Sequence, residues 1–132
     1  MTKAADPTEK TILSRLGEAM ERWYAGDPLA YTELFVDDLT YFAPVYQRGR
    51  LEGIAELREI LAPFKGKTAA PHFEVLNPKT QLDGNVRVLT YGLNEYAEDG
   101  TVRARWNATE VYRHVGDKWR IIHAHWSGAP AA

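Results

Sequence analysis

His123 and His125 stand two residues apart in the apolar run Trp119-Arg-Ile-Ile-His-Ala-His-Trp126. Residues at a spacing of two share one face of a strand. Ile121, His123 and His125 therefore point one way, and Arg120, Ile122, Ala124 and Trp126 the other. Two imidazoles on one face can share a metal ion, but a site needs a third ligand. The other histidines, His72 and His114, have no sequence reason to converge on the pair, so no metal site is expected. Asp37-Asp38 is a pair of carboxylates, yet adjacent residues of a turn point apart, which reads as helix-end and turn chemistry. Glu110 is the third candidate, an acid in a strand that also carries Trp106 and Ala108. No nucleophile–base pair, phosphate loop or dinucleotide fingerprint occurs, and no cofactor is expected.

Composition narrows the classes. The chain of 132 residues is one ordinary domain, long enough to bury roughly two thirds of its unfolded surface. Its 16 Lys and Arg against 18 Asp and Glu leave a net charge of −2, with no basic run, so nucleic acid is not an expected partner. The absence of cysteine removes disulfides and thiolate chemistry. Met1 to Lys10 has no apolar core of a signal peptide. Nothing approaches the roughly eighteen apolar residues of a membrane span, and a soluble, cytoplasmic protein is expected. Aromatic residues make up 11%, with four Trp and seven Tyr, ample material to wall an apolar cavity.

Helical signals fill the first half. Asp6-Pro7-Thr8-Glu9 reads as an N-cap, a proline at the first helical position and a reciprocal acid. Ile12, Leu16, Ala19, Met20 and Trp23 then recur on one helical face, and Gly26 stops the helix. Asp27-Pro28 opens a short second helix that buries Leu29, Leu34 and Phe35. Asp37-Asp38 is read as a turn before the strand Thr40 to Val45, whose Pro44 suits an edge or a bend. A third helix is expected from about Gly53 to Ala62, ended by Pro63. From His72 the pattern changes to four strands, about 72–82, 86–96, 102–114 and 119–126. They are separated by the hairpin signals Asp83-Gly84, Asp99-Gly100 and Gly116-Asp117. Helices first and an antiparallel meander after give an α+β domain with helices on one face of a curled sheet.

In that order of elements the chain resembles the nuclear transport factor two-like superfamily, whose members are cone-shaped α+β barrels with three N-terminal helices on a curled antiparallel sheet. The run Gly26-Asp-Pro-Leu-Ala-Tyr31, with Leu34-Phe-Val-Asp-Asp38, is similar to ketosteroid isomerases and SnoaL-like proteins. The run from Leu76-Asn-Pro78 through Trp119 to Ser127-Gly-Ala-Pro130 is similar to the association domain of calcium/calmodulin-dependent protein kinase II. The two together span about residues 9–130, a single domain. The resemblance implies a pocket faced by Tyr41 and Ala43, by the even residues Thr90, Gly92, Asn94 and Tyr96, by Ala104, Trp106, Ala108, Glu110 and Tyr112, and by Ile122, Ala124 and Trp126. A two-residue Gly116-Asp117 turn would pair odd with even residues and break that assignment, whereas a three-residue or bulged connection preserves it. The resemblance favours the latter.

The departures from these relatives carry chemistry. The isomerases use a tyrosine on the first helix, a carboxylate base on the first strand and a second acid on a later strand. The matching positions here are Ala19, Ala43 and Glu110, so only the second acid is kept and steroid isomerisation is not expected. The kinase association domain carries pocket arginines where this chain has Gly92, Glu110 and Trp126, so its anion-binding character is expected to be lost. Glu110, against Trp106, Ala108 and Trp126, would be costly to keep ionised, which suits a proton-transfer group or an anchor for a polar ligand atom. The plainer alternative pairs it with Arg120 or another cation.

The site expectations follow. Tyr41, Asn94, Trp106 and Trp126 bind a small, mostly apolar organic molecule, with Glu110 as candidate acid or base of a cofactor-independent isomerase, cyclase or dehydratase. The alternative is a non-catalytic oligomerisation or ligand-sensing module. His123 and His125 join Leu89, Tyr91, Leu93 and Val111 on an apolar outer face, and covering that face makes a homodimer.

Overall fold

The computed structural model describes residues 7–43 and 49–130. The expected N-cap Asp6 and the end of the expected strand at Pro44 and Val45 lie outside them. Helix α1 spans Pro7–Tyr24 and buries Ile12, Leu16, Ala19 and Met20, the stripe that its helical period marks. It ends against Gly26, whose φ of 107° needs glycine, and a Cβ there would lie 3.4 Å from the Gly66 Cα. Asp27 makes no side-chain cap; it pairs with Arg22 at 3.0 Å instead. A 3-10 helix, Pro28–Leu34, follows, and strand β1 covers Phe35–Phe42. Strand β2, Leu51–Glu52, precedes helix α2, Ile54–Leu61, which tightens into a second 3-10 turn at Ala62–Phe64. Strands β3 (His72–Asp83), β4 (Val86–Tyr96), β5 (Val102–Val115) and β6 (Lys118–Gly128) form the meander, within two residues of the expected bounds.

The six strands form one sheet in the order β2-β1-β6-β5-β4-β3. The domain is α+β, as expected, with two differences of detail: the sheet does not close, and it is mixed, because β1 runs parallel to β6. Asp37 and Asp38 are not a turn before the strand. They are exposed residues within β1, at the shift where its register against β6 slips between Phe35 and Thr40.

Register decides which side chains face the helices, and here the expectation needs correction. Leu89, Tyr91 and Leu93 of β4 pair with Glu110, Ala108 and Trp106 of β5, and all three are buried in the core. The odd residues of β4 therefore point inward, while Thr90, Gly92, Asn94 and Tyr96 lie on the opposite face. A register shift at Glu95/Tyr96 accompanies this pairing, and one residue of slip exchanges the faces of a strand. At the next hairpin Val115 pairs with Lys118, so Gly116-Asp117 is the tight two-residue turn, with Gly116 at φ 63°. The expected parity is restored further along, by a register shift beyond which Tyr112 pairs with Ile121 and Val111 with His123. Ile122 is the extra residue, so Ile121 joins Ala124 and Trp126 on the inner face, and Ile121 is fully buried.

The outer apolar face invoked for a homodimer is accordingly smaller. Of Leu89, Tyr91, Leu93 and Val111, only Val111 remains on it, paired with Val88 and His123.

Candidate functional site

Helices α1 and α2, the two 3-10 segments and the inner face of the sheet enclose a cavity of about 180 Å³. Met20, Trp23 and Tyr24 of α1 and Leu57 and Leu61 of α2 form much of its apolar wall. Tyr31, Tyr41, Trp106 and Trp126 add aromatic surface from the 3-10 helix and the strands. Ala43, Phe64, Thr68 and Glu95 complete the lining. Tyr31 meets Trp23, Phe35, Tyr41 and Trp126 edge-on at centroid distances of 5.0 to 6.3 Å, the arrangement that aromatic quadrupoles favour.

Three of the five expected site residues, Tyr41, Trp106 and Trp126, come together in this wall. Asn94 does not. It lies on the other face of β4, where its amide donates to Tyr96 Oη at 3.3 Å and Tyr96 donates in turn to Glu74 at 2.8 Å. Glu110 is on the inner face but does not line the cavity. It sits directly behind the wall, fully buried.

The surroundings of Glu110 are three phenols. Tyr31 and Tyr91 donate to Oε2 at 2.6 and 2.7 Å, and Tyr112 donates to Oε1 at 2.9 Å. Trp126 Nε1 completes the chain by donating to Tyr31 Oη at 3.1 Å. Among the described residues neither Arg120 nor another cation pairs with this carboxyl; Arg120 reaches toward the Glu33 carbonyl at 3.5 Å. Burial pushes the Glu110 pKa up, the tyrosine hydrogen bonds pull against it, and the net displacement is upward from 4.5. The same burial, with the carboxylate beside them, holds Tyr31, Tyr91 and Tyr112 well above the ordinary phenol value. Tyr31 thus both donates to Glu110 and lines the cavity.

The carboxylate in the wall is Glu95, which was not among the expected residues. Its Oε2 accepts from Trp106 Nε1 at 2.5 Å and its Oε1 from Arg103 at 3.0 Å. Burial, together with the nearby Glu95 carboxylate, raises the Tyr24 pKa. The signal that would have found Glu95 is the alternation of β4: Leu89, Tyr91 and Leu93 are the apolar set, and Glu95 continues their parity. Tyr31 came from a 3-10 helix, where no strand alternation marks an inward residue, whereas Trp23 belongs to the apolar helical face read from the sequence.

The four histidines stay apart from the cavity. Thr40 Oγ1 and His123 Nδ1 are 2.8 Å apart, and Phe42 packs against His123 and His125. His72 lies against Tyr96, and His114 stacks on Trp119. Among the described residues no group of three or more His, Cys, Asp or Glu is placed to hold a metal ion. No helix of the described residues is long and apolar enough to cross a membrane.

Residues 8–130 match the family model of the calcium/calmodulin dependent protein kinase II association domain. The chain belongs to that family. Among solved structures it is similar to a candidate ketosteroid isomerase from Parabacteroides distasonis ATCC 8503, with 36% identity over 94% of this chain and 89% of the other, at a TM-score of 0.75. In fold it is similar to the CaMKII hub of S. rosetta, 24% identical over 96% of this chain and all 100% of the hub, at a TM-score of 0.70. An NTF2-like protein of unknown function from Pseudomonas putida KT2440 matches at 23% identity, covering 92% of this chain and 88% of its own, with a TM-score of 0.69. The superfamily read from the sequence is the superfamily of the structure. Within this association-domain family member, no arginine lines the cavity among the described residues, and Glu110 occupies core between wall and sheet.

Proposed function

We propose that this association-domain family member is a small-molecule-binding subunit of a homo-oligomer. The observation that carries the binding half is the cavity itself, about 180 Å³ of aromatic and aliphatic wall with one carboxylate in it. An engineered apolar cavity of about 150 Å³ takes up benzene, so the molecule that fits here is one ring or its branched equivalent, with a few further atoms. Ala19 and Ala43, at the positions where the isomerases place their tyrosine and base, argue against a steroid isomerase. The names of the hub and association-domain relatives support assembly of this chain, with the outer sheet face around Val111 and His123 as the surface that joins copies.

Glu110 reaches a ligand through Tyr31. A second, catalytic reading rests on that contact. A substrate proton passing to Tyr31 Oη, as Tyr31 gives its own proton to Glu110 Oε2, would serve an isomerisation or dehydration without a cofactor. The two readings separate with Tyr31→Phe, which ends turnover in a proton-transfer enzyme but leaves a binder able to bind.

The binding reading is tested by thermal melts with a panel of monocyclic compounds on the parent protein and on Ala43→Phe, which fills the cavity. A ligand at about one hundred times its Kd stabilises by about 2.7 kcal/mol. The expected result is a raised Tm for the parent and none for the filled variant. Equal shifts in both, or no shift with any compound, would refute binding in this cavity. Light scattering tests the assembly half, and a monomer at working concentration would overturn it.

A further inference from the structure

The polar groups of the cavity wall are unequal in kind. Most of its hydrogen-bond donors are already committed to the protein. Trp106 Nε1 donates to Glu95, Trp126 Nε1 to Tyr31, the Tyr31 hydroxyl to Glu110 and the Thr68 hydroxyl to the Trp23 carbonyl. What Glu95 and Tyr31 offer is oxygen lone pairs. A carboxylate has about four acceptor sites, and the Glu95 oxygens are met by Trp106 and Arg103. The Tyr31 oxygen accepts one hydrogen bond, from Trp126, and donating its proton to a buried carboxylate leaves it electron-rich. No lysine, arginine or histidine belongs to the lining. Arg103, whose side chain is 44% exposed against 14% for Glu95, holds the carboxylate from outside the wall. The rest of the surface is π-faces, those of Trp23, Tyr24, Trp106 and Trp126 among them.

A carboxylate with spare acceptor capacity beside several indoles and phenols attracts positive charge and repels negative. An anionic ligand would meet two acceptors, the Glu95 carboxylate and the Tyr31 oxygen. A neutral donor would meet the spare lone pairs of Glu95 without the charge that strengthens the hydrogen bond. We infer that the cavity selects a small organic ammonium, a protonated amine on a body of about one ring, with its nitrogen at Glu95 and its body against the aromatic wall. The inference rests on the binding reading above and adds the charge of the ligand to it.

Three isosteric probes decide the matter: benzylammonium, benzyl alcohol and benzoate, titrated calorimetrically near neutral pH. A charge-assisted hydrogen bond adds about tenfold or more in affinity over a neutral one. Benzylammonium is therefore expected to bind about tenfold or more tightly than benzyl alcohol, with benzoate weakest. Glu95→Gln is expected to bring benzylammonium down to about the level of benzyl alcohol. Arg103→Gln, a change at an exposed cation that competes for the same carboxylate, is expected to tighten benzylammonium several-fold, and it carries the test if Glu95→Gln fails to fold. Equal affinity for ammonium and alcohol, or tightest binding of benzoate, would overturn the ammonium assignment and leave the binding reading standing. Binding of none of the three would overturn both.

Discussion

Removing the Glu110 carboxyl tests the most tightly specified part of this fold. In Glu110→Ala the hydroxyls of Tyr31, Tyr91 and Tyr112 all lose their acceptor in a region closed to water. Each unsatisfied buried donor costs about 1–3 kcal/mol. The opposing effect is relief of the desolvated acid, which is worth several kcal/mol at most and less once the raised pKa is allowed for. Three lost partners outweigh one relieved charge, and a net loss of about 3 kcal/mol is expected out of the 5–15 kcal/mol of an ordinary domain, roughly. In urea that moves the midpoint by roughly 1–3 M at unchanged slope. Glu110→Gln is expected to behave differently. Its carbonyl can face Tyr31 and Tyr91 and its amide can donate to Tyr112, so the loss should stay within about 1 kcal/mol. It also removes a titration. Because the folded carboxyl holds its proton above 4.5, where the unfolded chain has released it, the parent protein gains stability as the pH falls through the folded value toward 4.5, and is level below. The glutamine variant lacks that gain, and all other groups cancel in the difference between the two proteins. Urea melts across the mildly acidic range measure both effects. A Glu110→Ala loss below about 1 kcal/mol, or identical pH slopes for parent and glutamine variant, would refute the placement of an ionisable acid among three donors.

The same cluster predicts the alkaline behaviour. Tyr24, Tyr31, Tyr91 and Tyr112 have folded pKa values above the ordinary 10, so the stability they contribute is intact below 10 and is lost as the pH rises beyond it. Phenolate absorbance should show these four of the seven tyrosines ionising only together with the loss of far-ultraviolet circular dichroism; smooth titration of all seven in folded protein would contradict their burial. The β4 register is tested by two aspartates. Leu89→Asp places a charge at a fully buried inward position and is expected to abolish folding at room temperature, since burying an unpaired charge costs several kcal/mol or more, roughly the whole stability. Val111→Asp, on the half-buried outer face, is expected to leave the monomer folded and to reduce the mass seen by light scattering. The reverse pattern would mean that the strand faces are exchanged.

Local spacing and composition were enough for the class of fold, the order of its elements and part of the cavity. The apolar stripe Ile12, Leu16, Ala19 and Met20 reads as a buried helical face, because a 3.6-residue period is a property of the helix alone. Gly116-Asp117 reads as a hairpin turn, because the positive φ it needs is cheap only for glycine and a few polar residues. Tyr41, Trp106 and Trp126 could be assigned to the wall from strand parity and resemblance together. The faces of β4 could not, since they depend on where single residues slip out of register, at Glu95/Tyr96 and at Ile122. Such a slip reverses a whole strand, yet it leaves no mark on the residues it reverses.

The setting of Glu110 was decided still further from its own position. Its strand showed an acid among aromatics and small residues, and an apolar wall with an exposed ligand face was the simplest completion. Tyr31, 79 residues earlier on a 3-10 helix, and Tyr91, 19 residues earlier on a neighbouring strand, supply the acceptor's partners instead. Resemblance placed Glu110 on the inner face, with Trp106 and Ala108 of the same strand parity beside it. Only tertiary packing decided that three hydroxyls would meet it and that a tyrosine would stand between it and the cavity, because hydrogen bonds between distant segments depend on how the layers dock.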